Sequence, residues 1–185
     1  GEFPLVGDIA GHQQHPSVAL HREGGLVAWQ NATVDSGGER VVVQALGADY
    51  RGVGVPQVVS QNITGQNDLN PAVAALPEGR SVVVWESGPR SSQDIFIRFL
   101  DAQGQFQTDI QPVNSFQAGV QSDAAVSALA NGNVLVVWAS DGQDGSGEGI
   151  YGQRFSQTGS KVGTEFRVSQ TTNQNQSRPA VATIS

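Results

Sequence analysis

Cysteine and methionine are both absent from this chain of 185 residues. Without cysteine, neither a disulfide framework nor a thiolate metal site can form. The absence of cysteine is also compatible with an oxidising extracellular space. Because methionine is absent, the chain has no initiator residue of its own, and we expect it to be a processed piece or a segment of a longer protein.

Basic residues are scarce as well. Ten Lys and Arg stand against 17 Asp and Glu, which gives a formal net charge of −7, and Lys161 is the single lysine. The sequence has no clustered basic stripe, so nucleic acid is excluded as a partner and acidic membrane surfaces are disfavoured. No apolar run approaches the roughly 20 residues that span a bilayer, so membrane insertion is not expected. Cations, carbohydrates and other proteins remain as possible partners.

Long segments rich in Leu, Glu and Lys are missing, which argues against helices. The chain is instead rich in Gly, with 23 residues, and Val and Ala dominate its apolar set. A length of 185 residues is typical of one domain and is sufficient to bury a core. We therefore expect a single all-β domain.

A tryptophan recurs at intervals of 56 and 53 residues, as Trp29, Trp85 and Trp138, and each ends an apolar run such as "SVVVW". Before each run lies a segment of small residues, and after it lies a third apolar segment. The small-residue segments read "PSVAL", "PAVAAL" and "AAVSAL", with a fourth copy "PAVATI", and the third segments read "VVVQAL", "IFIRFL" and "IYGQRF". Internal repetition of this kind predicts one structural unit used several times.

The repeating unit has about 54 residues and four short strands, A to D, separated by Gly-containing turns. The chain begins with a fourth-strand segment, Glu2–Val6, and ends with a first-strand segment, Pro179–Ile184. The predicted divisions are a terminal D strand over 1–15, repeats over 16–70, 71–123 and 124–178, and the start of a fourth repeat over 179–185.

Four-stranded units at this spacing predict the blades of a β-propeller. Blades stack face to face, so their inner strands are covered on both sides and lose the alternation of a half-buried strand. The alternative is a β-trefoil or another three-fold all-β fold, which also uses three four-stranded units. A trefoil closes with three units, whereas this sequence has overhanging strands at both ends, so the propeller is favoured.

Each tryptophan is predicted to fill the space between adjacent blades, where burial is worth roughly 3 kcal/mol or more. The alternative role is an exposed ring on which a sugar stacks. A polar residue also recurs three positions before each strand A, as Gln13, Asp68, Gln121 and Gln176. Such a residue is expected to satisfy backbone groups of a neighbouring loop, or alternatively to bind a ligand at the blade junctions.

The pattern Q-x-x-P-x-V-A-x-L, V-V-W-x-S and G-I-Y-G-Q-R-F resembles tandem repeats of very large secreted or surface proteins of bacteria. The third copy, over 128–169, matches best, and the first departs most, with "VVVQALGADY" in place of the Gln-Arg-Phe pattern. The resemblance implies propeller-like repeats, an extracellular or cell-surface location and frequent association with calcium-binding RTX-type segments. It carries no evidence for a particular activity, because such repeats are scaffolds.

The loop "SDGQDGSGE" of the third repeat is the candidate metal site. Asp141, Asp144 and Glu148 lie close together on a Gly-rich turn, and calcium needs six to eight oxygen ligands. The loop does not match the full EF-hand pattern, and the corresponding loops of the other repeats have fewer acids. A solvated hairpin loop is the alternative.

No catalytic residue can be assigned from the sequence. His12, His15 and His21 have no partner at a convincing spacing, either for a metal or for a nucleophile, and no phosphate-binding or dinucleotide motif is present. Paired carboxylates for glycoside hydrolysis remain possible, because distant acids can meet in space.

The expected function is a non-enzymatic scaffold or binding module of a larger secreted or cell-surface protein, acting in adhesion or assembly. Its expected partners are further repeats of the parent protein or a second copy of the chain. The alternative is a carbohydrate-binding, lectin-like propeller with shallow pockets between blades. A glycan-active hydrolase or lyase is the third hypothesis, and it requires acids from different repeats to converge in a cleft.

Overall fold

A computed structural model describes residues 10–32, 38–60 and 66–183. The leading strand predicted at Glu2–Val6 lies outside these residues. The described chain forms twelve strands and a short 3-10 turn, Pro77–Gly79. The strands are β1 (His12–His21), β2 (Gly24–Ala32), β3 (Glu39–Leu46), β4 (Gly52–Val58), β5 (Asn67–Ala75), β6 (Ser81–Gly88), β7 (Asp94–Leu100), β8 (Gln111–Pro112), β9 (Gln121–Ala128), β10 (Val134–Asp141), β11 (Glu148–Phe155) and β12 (Lys161–Arg167).

The strands form three separate antiparallel sheets of four, and within each sheet the strands follow chain order. We call the sheets blade 1 (β1–β4), blade 2 (β5–β8) and blade 3 (β9–β12). This arrangement is β-propeller-type, as predicted. Three separate sheets in meander order differ from the three-fold barrel and cap of a trefoil, so the alternative is wrong. No helix in the described residues is long and apolar enough to cross a membrane.

The blades pack face to face, and blade 2 shows why its second strand is continuously apolar. Val82 and Val84 of β6 belong to the core shared with blade 3. Val83 and Trp85, which point to the opposite side of the sheet, belong to the core shared with blade 1. Both faces of β6 are therefore buried, and each successive residue must be apolar.

The inner strands β1, β5 and β9 lie next to one another and form the side of the molecule nearest the propeller axis. Each of them starts before the proline or alanine at which the sequence places a repeat boundary, and a bulge interrupts the strand near that residue. The pairing register shifts between Gln14 and Ser17 in β1 and between Leu69 and Ala72 in β5. A corresponding shift affects β9 opposite Val137 and Ala139.

The trailing strand predicted at Pro179–Ile184 is not formed in its described part, residues 179–183. That segment runs beside β9, where the hydroxyl of Thr183 donates a hydrogen bond to the carbonyl of Ala128 and contacts the hydroxyl of Ser127. In blades 1 to 3 each inner strand pairs with the second strand of its own blade. The described residues contain no such strand for this segment, so no ladder of hydrogen bonds forms.

Candidate functional site

Four equivalent residues, three of them at the bulges of β1, β5 and β9 and the fourth before residues 179–183, have a left-handed backbone. His15, Asn70, Asp123 and Arg178 have φ values of 51°, 48°, 54° and 55°. Positive φ is uncommon for residues other than glycine and costs about 1–3 kcal/mol unless the surroundings enforce it. The same unusual conformation in four copies indicates that the bulge is a built feature of the fold.

These four residues and the residues that follow them line one open cavity of about 380 Å³ at the bulges of the inner strands. We call it the axial cavity. Its lining brings together an imidazole, an amide, a carboxylate and a guanidinium from four successive copies of the repeat. The residues are His15, Pro16, Asn70, Pro71, Asp123, Ala124, Arg178 and Pro179.

Side-chain oxygens from neighbouring blades hold two of the bulges in place. Oε1 of Gln30 accepts a hydrogen bond from the backbone N–H of Asn70 at 3.4 Å. Oε1 of Glu86 accepts the equivalent bond from Asp123 at 2.8 Å. Gln30 and Glu86 each directly follow the tryptophan of their blade. Ala139 occupies this position in blade 3, and its side chain has no oxygen to accept such a bond from Arg178.

A chain of hydrogen bonds connects three blades beneath the cavity. Nδ1 of His15 lies 2.8 Å from Oδ1 of Asn70. Nδ2 of Asn70 donates to Oε2 of Glu86 at 3.0 Å. Since Oε1 of Glu86 accepts from Asp123, both carboxyl oxygens of Glu86 are engaged.

Glu86 is almost completely buried, with 2% of its surface exposed. Burial raises the pKa of its carboxyl above the usual value, and the negative charge of Asp123 raises it further. Hydrogen bonds from Asp123 and Asn70 and the proximity of His15 oppose this rise without cancelling it. A buried carboxyl with a raised pKa therefore lies next to the cavity, whose lining includes Asp123 with an exposed side chain.

The three tryptophans lie away from solvent, with exposed fractions of 5%, 1% and 0% for Trp29, Trp85 and Trp138. Trp85 packs in the core between blades 1 and 2, and Trp138 in the core between blades 2 and 3. No indole face is available for a sugar to stack on. The positions of Trp85 and Trp138 fit packing between blades, whereas Trp29 packs within blade 1 against Val27, Val42 and Leu46.

The recurring polar residues bind the loops that precede the inner strands. Nε2 of Gln13 donates to the carbonyl of Gly11, and Nε2 of Gln121 donates to that of Ala118. Gln176 donates to the carbonyls of Asn173 and Gln174. Asp68 has no amide to donate and instead lies 3.7 Å from the guanidinium of Arg40. None of these four residues lines the axial cavity.

The acidic loop of blade 3 does not gather its three carboxylates around one point. Asp141 and Glu148 face each other across the ends of β10 and β11, and Oδ1 of Asp144 accepts a hydrogen bond from Ser146. Across the described ranges, no three His, Cys, Asp or Glu side chains could hold a metal ion. Calcium binding stays a prediction from sequence, and melting temperatures in millimolar calcium and in chelator would test it.

Sequence reasoning missed the residues of the axial cavity. It assigned no partner to His15, whereas the structure places that ring on Asn70. A signal was present, because the dipeptides His-Pro, Asn-Pro, Asp-Ala and Arg-Pro occupy the same column of the four repeats. A polar residue stands directly before the first small residue of every copy. A position that stays polar in every repeat indicates a role other than packing in the core.

No protein-family model and no curated protein matches this chain. Among solved structures it is similar to an α-L-arabinanase of Penicillium chrysogenum in complex with arabinobiose, with 15% identity and a TM-score of 0.59. It is also similar to an α-L-arabinofuranosidase of Fusarium graminearum, with 15% identity and a TM-score of 0.60. Each match covers 89% of this chain and 47% of the other.

A thermostable family-43 glycoside hydrolase is a further match, with 14% identity, a TM-score of 0.55, and coverage of 95% of this chain and 64% of that one. The chain thus spans between about half and two thirds of the length of these structures. Identities this low establish the fold alone. They support the propeller-like part of the predicted resemblance, and they do not support an association with RTX-type proteins.

The comparisons also correct the expected function. A non-enzymatic scaffold was the main expectation from sequence, and it is contradicted, because the matched structures are glycoside hydrolases. The physical reason for the error is that blade packing dominates the repeat pattern. The polar column of the axial cavity contributes one residue to each copy, and because the residue type differs from copy to copy, the column does not show from sequence what these residues do together.

Proposed function

We propose that this chain is part of a glycan-active hydrolase, with the axial cavity as its sugar-binding site. The observation that supports this most directly is that Asp123 of blade 3 lines an open polar cavity, while the buried carboxyl of Glu86, from blade 2, accepts a hydrogen bond from the backbone N–H of Asp123. Glycoside hydrolysis uses two carboxyl groups, one that stays protonated and one that stays ionised. Different environments around the two groups are what separates those roles.

Asp123 is the carboxylate that faces the sugar in this proposal. Its side chain is exposed at the cavity, and its backbone is fixed by Glu86. Glu86 is the buried acid, because burial raises the pKa of its carboxyl. His15, Asn70 and Arg178 supply hydrogen-bonding groups around the same cavity, which suits a ring with several hydroxyl groups.

Recognition in this cavity depends on hydrogen bonds rather than on aromatic stacking, because the three tryptophans are buried. Arabinose-containing oligosaccharides are the first substrates to test, since two of the similar structures are an arabinanase and an arabinofuranosidase. An extracellular or cell-surface location remains part of the proposal, supported by the absence of cysteine.

Carbohydrate binding without cleavage is the second candidate, and one observation favours it. Both carboxyl oxygens of Glu86 are engaged, one with the backbone of Asp123 and one with Asn70. A carboxyl held in this way has a structural role, because it joins two blades. It can transfer a proton to a substrate only if one of these hydrogen bonds rearranges.

Calorimetry with arabinobiose and measurement of new reducing ends from arabinan would separate the two candidates. We expect the native chain to bind and to cleave, and Asp123→Asn to bind with at least 100-fold slower cleavage. Asp49→Asn is the matched control, because Asp49 is an exposed aspartate in the turn between β3 and β4, outside the cavity lining. Binding without cleavage by the native chain would favour the second candidate, and absence of both would refute the proposal.

A further inference from the structure

The side-chain amide of Asn70 lies between two groups that can each carry a proton. On one side is Nδ1 of His15, and on the other is Oε2 of Glu86. An amide presents a donor at one end and an acceptor at the other, and rotation by half a turn exchanges them. The protonation state of Glu86 and the position of the proton on His15 are therefore coupled through Asn70.

When Glu86 is ionised, its Oε2 can only accept a hydrogen bond. The NH2 group of Asn70 must then face Glu86, which leaves Oδ1 facing His15, as in the structure. Since Oδ1 can only accept, Nδ1 of a neutral His15 must carry the proton. The other ring nitrogen, Nε2, is then a bare acceptor.

When Glu86 is protonated, the preference reverses. Oε1 still accepts from the backbone of Asp123, so the carboxyl proton resides on Oε2 and is donated to Asn70. The amide must turn its oxygen to Glu86 and its NH2 group to His15. Nδ1 of a neutral His15 then accepts, and the ring proton moves to Nε2 through exchange with water.

We propose that Asn70 couples the protonation of Glu86 to the tautomer of His15, so that Nε2 of His15 is an acceptor when Glu86 is ionised and a donor when it is neutral. His15 is exposed and lines the axial cavity, and with Nδ1 engaged by Asn70, Nε2 is the ring nitrogen left for a ligand. The other charged groups at this cavity are Asp123 and Arg178.

The backbone around Asn70 is held while its amide turns. Gln30 fixes the N–H of Asn70, and Pro71 follows it directly. Gln30 also shows that a glutamine fits the position that Glu86 occupies in the next blade. Glu86→Gln therefore imitates the neutral carboxyl, since its Oε1 can accept from Asp123 while its NH2 group donates to Asn70.

The coupling itself rests on geometry, whereas its use in sugar recognition rests on the proposed function. A sugar hydroxyl can meet either an acceptor or a donor at Nε2, depending on the state of Glu86. A proton that leaves Glu86 for a leaving group would thus be accompanied by a change in the hydrogen bond that His15 offers. His15 acts here as a residue that positions the sugar.

The test is 15N NMR of the histidine rings in the labelled chain, without any sugar, over about pH 7.5 to 9.5, where an imidazole of ordinary pKa near 6.5 is neutral. The spectrum of His15→Gln assigns the His15 signals. His21 is an internal reference, because its Nδ1 accepts from the backbone of Glu23 and its proton must be on Nε2. We expect His15 in the native chain to reach the Nδ1–H form by the top of the series, and Glu86→Gln to hold it in the Nε2–H form throughout.

The same tautomer in the native chain and in Glu86→Gln at the top of the series would overturn the proposal. Asn70→Gly is the second variant, because glycine tolerates the positive φ of this position and removes only the amide. In that variant His15 should lose its fixed tautomer, and an unchanged Nδ1–H form would equally overturn the proposal. Adding arabinobiose should shift the His15 signals. A tautomer difference without that shift would count against the proposed function and leave the coupling in place.

Discussion

The indole N–H of Trp138 donates a hydrogen bond to Oε1 of Gln121 at 3.1 Å, and both side chains are fully buried. In blade 2 the equivalent indole, that of Trp85, donates to Asp68 instead. In blade 1 the indole nitrogen of Trp29 is buried and has no hydrogen-bond partner within residues 10–32, 38–60 and 66–183. The polar partner differs in each blade while the ring stays buried, so burial of the ring is the property that the repeat maintains.

Replacing Trp138 tests this conclusion. We expect Trp138→Ala to lower the free energy of unfolding by about 3–5 kcal/mol, because it leaves a cavity between blades 2 and 3. Trp138→Phe keeps most of the apolar surface but leaves Oε1 of Gln121 buried without its donor, at a cost of about 1–3 kcal/mol. Urea unfolding measures both, and sugar binding by the folded molecules should be unchanged. An unfolding midpoint of Trp138→Ala equal to that of the native chain would contradict the packing role.

Two glycines with nearly the same backbone allow the contact between blades 1 and 2 to be measured. Gly104 has φ of 75°, and a Cβ there would lie 2.9 Å from Cβ of Ala45 in the neighbouring blade. Gly142 also has φ of 75°, but nothing lies within 4 Å of its Cβ position. We expect Gly142→Ala to cost about 1 kcal/mol through backbone strain alone, and Gly104→Ala to cost more. Equal melting temperatures for the two variants would show that the blades separate easily at this contact.

The buried carboxyls of blade 2 predict how stability depends on pH. Burial raises the pKa of Asp68 above its usual 3.8, and likewise raises the pKa of Glu86 above its usual 4.5. A carboxyl with a raised pKa binds more protons in the folded chain than in the unfolded chain. The stability that such a carboxyl contributes is fully present below its usual pKa. It is lost as the pH rises through the pKa that the group has in the folded chain.

We therefore expect the free energy of unfolding to receive a falling contribution from these two groups as the pH is raised above about 4. Asp68→Asn and Glu86→Gln should each make the pH profile flatter over this range, because an amide does not ionise. Urea unfolding at a series of pH values measures the slope. If both variants kept the slope of the native chain, burial of these carboxyls would not control it.

The sequence predicted the blades well because blade packing repeats. The uninterrupted run "SVVVW" required two covered faces, and Val82, Val83 and Val84 do alternate between the two inter-blade cores. Turn chemistry likewise divided the repeat into four strands in the correct order. The apolar runs and turns occur once in every repeat because each blade packs in the same way. Their repetition makes them recognisable from a single sequence.

The axial cavity could not be predicted because its chemistry depends on differences between the repeats. Gln30, Glu86 and Ala139 occupy one position, where Gln30 and Glu86 accept a backbone hydrogen bond, Glu86 also binds the amide of Asn70, and Ala139 can do neither. Their effect on Asn70 and Asp123 is visible only when the neighbouring blade is placed beside them. The prediction of a trailing strand at Pro179–Ile184 was wrong in its described part for a related reason. A strand needs a neighbouring strand to pair with, and the sequence of the segment does not show whether one is present.

Trp29 lies on the face of blade 1 that is turned away from blade 2. Val18 and Leu20 pair with Val27 and Gly25 of β2 on this face, and Val58 pairs with Val42 on it, so their side chains share one side of the sheet. Their exposed fractions are 57%, 53% and 51%. In blades 2 and 3 the face that bears the tryptophan is covered by the preceding blade.

A blade of the same type is thus the surface that fits this face, and a second copy of the chain offers one. We expect the isolated chain to associate in a concentration-dependent way, because burying exposed apolar area is favourable by roughly 25 cal/mol per Å². Leu20→Lys should weaken the association, since it places a charge where the neighbouring blade would pack. Tyr50→Asn is the control, because Tyr50 is an exposed aromatic residue in the turn between β3 and β4. Sedimentation equilibrium would decide: a single monomeric species for the native chain at all concentrations would show that this face needs no partner.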